Sequence, residues 1–260
     1  MSGNQVGGSS YSKRTDVDRD YRAAICAGAG NSTAACESFR IAIGESDLWV
    51  RASENIREAV EKELKFLRRQ LKEYLYSHPG FQESLQPYPF DGQAPELIQW
   101  MVWAATQAGV GPMAAVAGAI AGMIGRKLSP GVSELIIENG GDIYLRSTVE
   151  RIVAIYAGTS VLSNKIGLKF PPAPSGIGIC TSAGRVGPSL SLGTTDATVV
   201  VSPDTALADA AATAVGNRVQ KPADLPHAID FAKTISGITG VLLIQGDKLA
   251  AWGDLEIVRL

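Results

Sequence analysis

"DATVVVSPDTALADAAATAVGN", residues 196–217, joins an apolar strand to an alanine-rich helix. "DATVVVSP" reads as a strand buried on both faces. Ser202, Pro203 and Asp204 then supply an N-cap, a proline at the first helical position and an acid in the first turn. In the helix that follows, Asp209 and Thr213 are four residues apart and share one face. A carboxylate and a hydroxyl so placed offer two oxygen ligands to a hard cation such as Mg2+. The same spacing also suits a solvated acid beside a threonine bonded back to a carbonyl one turn earlier, and spacing alone leaves both readings open.

Upstream, "GIGICTSAG" reads as another short strand, and "SELIIENGGDIYL", residues 133–145, as a strand whose apolar "LII" delivers the loop "ENGGDI" to its end. Gly140 and Gly141 let backbone come close to a ligand there, and amides in such a loop can cradle phosphate. A turn with glycines at positive φ explains them as well. Asp142 either bonds a ligand or caps that turn.

"CTSAGRVGPS", residues 180–189, holds a thiol and several hydroxyls, but a nucleophile there needs a general base. The only histidines are His78, beside Pro79, and His227, after Pro226, and both read as surface or capping residues. Cys180 reads as a small buried side chain on a strand. Lys165, in "LSNKIGL", follows a strand and is placed either to bind an anion or as ordinary loop polarity. Neither a Rossmann nor a Walker glycine pattern is present.

Elsewhere the pattern is mixed. "YRAAICAGAG" and "ESFRIAIGESDLWVRAS" read as strands in a hairpin or meander with a turn at Gly44 to Asp47. From Ser53, an N-cap candidate, Ile56, Val60, Leu64, Leu67, Leu71 and Leu75 mark an amphipathic helix that stops before Pro79. The prolines over 79–95 predict an ordered loop leading to a helix near Glu96 to Ala108. Met101 to Gly125 carries no charge and has the length of a bilayer span, but Gly109, Gly111 and Pro112 divide it and alanine and glycine dominate it. It is expected to be a buried hairpin, or a loop and a buried helix, with Gly118 and Gly122 packed tightly on a sheet. "RIVAIYAG" reads as a strand, "KFPPAPSG" as a loop, "ITGVLLIQGDKLAAWG" as a hairpin turning at Gly246-Asp247, and "LEIVRL" as a final strand. The expected fold class is α+β, with antiparallel-rich sheets flanked by helices. Residues 1–20, Gly/Ser-rich and charged, are read as a flexible segment, and 21–260 as one domain with room for two lobes.

Across 260 residues, 24 Lys and Arg against 26 Asp and Glu give a formal charge of -2, which supplies no electrostatic reason for nucleic acid or an acidic membrane as partner. Cys26, Cys36 and Cys180 show no C-x-x-C spacing and fit a reducing compartment. With no apolar leader, the expectation is a cytoplasmic protein acting on a small molecule.

In their order along the chain, "ENGGDIYL", "GICTSAG" and "DATVVVSPDTALADAAATAVGN" resemble successive blocks of the ApbE family, flavin transferases that move FMN from FAD to a threonine of a target protein using Mg2+. "AGVGPMAAVAGAIA", "SNKIGLK", "GICTSAGRVGPSLS" and "GDKLAAWG" are similar to an uncharacterised cytosolic ApbE-like (UPF) subfamily. The resemblance implies an ApbE-like fold, FAD or a related nucleotide as ligand, and Mg2+ held by Asp209 and Thr213. It assigns Gly140, Gly141 and Asp142 to the nucleotide loop and Thr181 and Ser182 to the T-S element; Asn139, next to that loop, and Lys165 are further cofactor-binding candidates. One departure stands out: Pro188 and Ser189 fall where the transferases have a serine and the catalytic histidine, so no evident group deprotonates an acceptor threonine. The resemblance also implies a target protein in the cytoplasm. It leaves two alternatives standing, a role in anaerobic sulfide assimilation with the cysteines carrying or sensing sulfur and a non-enzymatic binding or assembly protein; under any of these readings the chain is a candidate homo-oligomer.

Overall fold

Alternation at Phe39, Ile41 and Ile43 sends every second side chain to one face, and Glu37–Ile43 (β1) pairs antiparallel with Ser46–Ala52 (β2) across a turn at Gly44. The computed structural model describes residues 36–184 and 192–260. The tail over 1–20, the strand expected at 21–30, Cys26, Pro188 and Ser189 lie outside the described residues.

The next helix, α1, spans Arg57–Ser77 and buries Val60, Leu64, Leu67 and Leu71 as its periodicity predicts. It begins later than Ser53 suggests. The Ser53 hydroxyl instead accepts the Ser133 amide at 3.2 Å and so ties this corner to the chain entering β3, Leu135–Asn139. Pro79 ends α1 and opens a one-turn helix, α2 (Pro79–Glu83), with proline in its first turn. The expected helix α3 is Glu96–Ala108.

The uncharged stretch is broken as expected. Gly109, at φ 72°, caps α3, a 3-10 turn follows at Pro112–Ala115, and α4 (Val116–Leu128) leaves at a bend of 103°. Among the described residues no single helix is long and apolar enough to cross a membrane. Gly118 and Gly122 do not pack on a sheet. They face Thr205 and Asp209 of α5 (Thr205–Gly216), with Trp100 beside Gly122, and it is Gly125 that lies against the sheet, on the Tyr144 ring.

"SELIIENGGDIYL" makes two strands, not one. β3 turns through Gly140 and Gly141, at φ 69° and 107°, into β4 (Asp142–Ser147), because two consecutive positive φ angles suit the tight turns that match strand twist. β5 (Arg151–Ala154), β6 (Ile166–Phe170) and β7 (Ala173–Ser182) follow, so the proline-rich segment is only a short link between strands. β8 (Ala197–Ser202) is buried at every position. Helix α5 starts after Asp204, not Ser202: the Asp204 carboxylate accepts the Leu207 amide at 3.0 Å, while Ser202 stays in the strand and donates to the Gly237 carbonyl. The short helix α6 (Leu225–Ala232) was not expected. The hairpin of β9 (Gly240–Gln245) and β10 (Lys248–Gly253) turns at Gly246-Asp247, and β11 (Glu256–Arg259) ends the chain.

The strands form an eight-stranded antiparallel sheet, β1-β2-β3-β4-β7-β8-β9-β10, and a three-stranded one, β11-β6-β5. Period-2 alternation gives the large sheet two apolar faces. Leu48, Val50, Leu135, Ile137 and Tyr144 meet α1, α3, α4 and α5, while Ile136, Ile143, Leu145, Ile179 and Val199 meet Val153, Leu168 and Phe170 of the small sheet. The fold is therefore the α+β class expected.

Candidate functional site

Asp142, the first residue of β4, stands opposite Cys180 in β7, and Tyr144 stands opposite Gly178. Alternation points these positions toward the helices. At Gly178 the missing side chain lets α5 sit on the sheet, since a Cβ there would lie 2.5 Å from Thr205 Cα. The Cys180 thiol donates to the Thr205 carbonyl at 3.4 Å. One turn on, Asp209 is buried where α5 meets α4, and its Oδ2 accepts the Gly118 amide at 2.8 Å. Sheet and helix thus each aim one buried carboxylate into the same space.

Burial lifts the Asp142 carboxyl well above the usual range, reinforced by the charges of Asp209 and Glu138 and opposed by the Cys180 thiol and the Thr181 amide. Burial pushes Asp209 up to about 7 against the pull of the Gly118 and Ala117 amides. Burial, then the two aspartates, raise the Cys180 thiol. Neither aspartate has an ion-pair partner among the described residues, and Asp142 Oδ1 is buried with no hydrogen-bond partner among them. Two apposed buried acids with an uncommitted oxygen form a site whose charge a small hard cation would neutralise. Among the described residues no group of three or more His, Cys, Asp or Glu is arranged to hold a metal, so such a cation would complete its shell with hydroxyl, carbonyl, water or phosphate oxygens.

The glycine turn adjoins this space. Asn139 donates to the Ala117 carbonyl at 3.1 Å, which ties the turn to the start of α4. Glu138, fully buried and not anticipated from the sequence, accepts the Gly141 amide at 2.8 Å and braces the turn from behind. A Cβ at Gly140 would meet nothing within 4 Å, whereas one at Gly141 would lie 3.4 Å from the Thr181 carbonyl. Ser182 shares the helix-facing side of β7 with Cys180, and Thr181 alternates to the other side. Thr213 is half-buried on α5, one turn beyond Asp209.

Asn139, Gly140, Gly141, Asp142, Thr181, Ser182, Asp209 and Thr213 therefore collect at one end of the large sheet. Lys165 does not join them: it is exposed in the turn before β6, in the layer on the opposite face, and its carbonyl accepts the Leu260 amide. His78 caps α1 and stacks on Tyr74 at 4.0 Å, and His227 is exposed on α6, as their flanking prolines suggest. Cys180 is fully buried, as expected, and Cys36 half-buried. The start of α5 carries a polar corner that no local motif announced: Asp204 Oδ2 accepts Trp100 Nε1 at 3.0 Å and Arg126 Nη2 at 2.9 Å, with Arg126 over the Trp100 ring at 4.2 Å.

Comparison with known proteins agrees with this architecture. Residues 30–236 match the family described as AbpE bacteria. A UPF0280 protein of Methanocella arvoryzae is 45% identical over 195 residues, 74% of this chain and 79% of the relative. One from Methanosarcina acetivorans is 43% identical over 200 residues, 76% of this chain and 79% of the relative. The apo form of the flavinyl transferase ApbE from Pseudomonas stutzeri superposes with a TM-score of 0.51 at 14% identity, covering 84% of this chain and 94% of that one. A histidine-to-glycine variant of the flavin transferase ApbE from Vibrio cholerae gives 0.53 at 12% identity, with 84% and 97% covered. At these identities the structural likeness is one of fold.

Proposed function

The chain belongs to the AbpE bacteria family, and from that premise we propose that the space between Asp142 and Asp209 binds a divalent cation such as Mg2+ together with a flavin nucleotide, FAD. The observation that carries the reading is Asp142 Oδ1, a buried carboxylate oxygen with no hydrogen-bond partner among the described residues, beside a second buried acid, Asp209, whose charge helps raise the Asp142 carboxyl. Asp209, Thr213 and Asp142 would hold the cation through oxygen, the donor type Mg2+ prefers. When bound, the cation would neutralise the two acids and a diphosphate beside them.

Asn139, Gly140 and Gly141 would carry the nucleotide. Their turn is held from one side by Ala117 and from the other by Glu138, and the open side of Gly140 leaves room for a ligand to approach the backbone. Ser182 would line the adjoining wall, and Thr181 would contribute its backbone beside Gly141 and Asp142. The fold likeness to proteins named as flavin transferases supports a flavin over other nucleotides. The proposal stops at binding: transfer of FMN to a hydroxyl needs a base, and Pro188 and Ser189 stand where the resemblance would place one.

Titration calorimetry of the full chain with FAD, with and without Mg2+, tests this. Binding that requires Mg2+ and is lost in Asp209→Ala supports the reading; absence of FAD binding in both conditions, with Asp209→Ala unchanged from wild type, ends it.

A further inference from the structure

The two edges of the large sheet are protected differently. On β1, Glu37 and Arg40 are exposed, Arg40 pairs with Asp47 at 2.7 Å, and Arg57 Nη1 reaches over to bond the Arg40 carbonyl at 3.2 Å. Those are the devices that keep an edge from pairing with another chain. On β10 the only charge is Lys248, at its first position. Leu249 to Gly253 are uncharged, contain no proline and keep an unbroken register with β9, so no bulge turns the edge away. No described strand pairs with its outer side. Leu249 is 40% exposed and Ala251 is also exposed.

We propose that this edge pairs with β10 of a second copy of the chain, antiparallel and about a two-fold axis, so that the sheet continues across a dimer. The symmetry restricts the register. A two-fold axis normal to the sheet keeps each residue on its own face, so only residues an even number of positions apart can stand opposite each other. Centring the axis on Ala251 places Lys248 of each copy beside Asp254 of the other, which makes the edge self-complementary in charge. The same register brings Ala250 opposite Trp252, both of which already pack toward the apolar cluster under α6, and seats exposed Leu249 over Gly253, which has no side chain to obstruct it.

Sedimentation of the full chain tests the pairing through a charge swap. Wild type is expected to dimerise. Lys248→Glu and Asp254→Lys alone should each weaken the dimer by roughly tenfold, because two symmetry-related cross-strand pairs turn from attractive to repulsive. The double variant, K248E with D254K, should restore wild-type association. Ala251→Glu, which sets two carboxylates against each other at the axis, should leave only monomer. Because all three positions are exposed, the far-UV dichroism of the four variants should not change. A wild-type chain that stays monomeric up to about 0.1 mM, a dimer indifferent to Ala251→Glu, or a double variant as weak as the single ones would each overturn the proposal.

Discussion

The Gly118 amide and the Asp209 carboxylate meet at 2.8 Å although 91 residues separate them. The contact exists because Gly118 has no side chain: a Cβ there would lie 2.5 Å from the Thr205 carbonyl oxygen and 2.6 Å from Asp209 Cβ. Gly118→Ala is therefore expected to push α4 off α5, costing about 1–3 kcal/mol in urea denaturation, as overpacking does. It should also weaken Mg2+ binding by moving Asp209, whereas Gly122→Ala, which presses mainly on the Trp100 and Thr205 side chains, should spare it at similar loss of stability. Equal effects of the two substitutions on Mg2+ binding would show that Asp209 does not depend on this amide.

Asp142→Asn keeps the shape of the side chain and removes its charge. In the metal-free protein two apposed buried acids oppose each other, so at alkaline pH, with a chelator present, the variant should melt at a higher temperature than wild type. Added Mg2+ should stabilise wild type in proportion to RT ln(1 + [Mg2+]/Kd) and leave the variant unmoved. Differential scanning fluorimetry in the two conditions separates these effects. A variant that keeps the full Mg2+ response would place the cation elsewhere.

What local pattern encodes was legible. The apolar run of β8, the turn at Gly246 and the helix that carries Asp209 and Thr213 one turn apart depend on residues within a few positions of one another. Contacts set by topology were not. Nothing near Asp209 announces Gly118, and Lys165, which looked placed for an anion, is carried away by the packing of β6 on the far face of the sheet. Ser53 has the chemistry of an N-cap, but its hydroxyl is taken by Ser133, a partner 80 residues away. The helix "LPHAIDFA" is eight residues long, too short for its periodicity to stand out from a loop. Two glycines after an apolar run look the same whether the strand ends or folds back, and the return strand was missed for that reason.

Cys180 should resist thiol reagents in the native protein. It is fully buried, and burial together with Asp142 and Asp209 raises its thiol, so both access and thiolate are lacking. Alkylation under native conditions followed by peptide mass spectrometry should label Cys36, which is half-buried, ahead of Cys180, and denaturant should release Cys180. Rapid native labelling of Cys180 would mean that α5 lifts from β7, since the Thr205 carbonyl covers the sulfur.

Glu134 and Arg151 join the two sheets as a buried ion pair at 2.7 Å, 4% and 2% exposed. Burial works against the Glu134 charge, but hydrogen bonds from Ser147, Arg151 and Thr148 outweigh it and hold the carboxyl below its usual value of 4.5. A lowered folded value means that the unfolded chain takes up the proton first. The pair's contribution is therefore present above about pH 4.5 and is lost as pH falls through the folded value. Glu134→Gln leaves Arg151 charged, buried and unpaired, and should cost about 3–5 kcal/mol near neutral pH. Urea denaturation across pH should show wild type and variant converging on the acid side of 4.5. Replacing both partners, Glu134→Leu with Arg151→Met, should recover most of the loss, because no charge is then left in the interior. If the double replacement is as unstable as Glu134→Gln, the penalty lies in packing between the sheets and not in the unpaired charge.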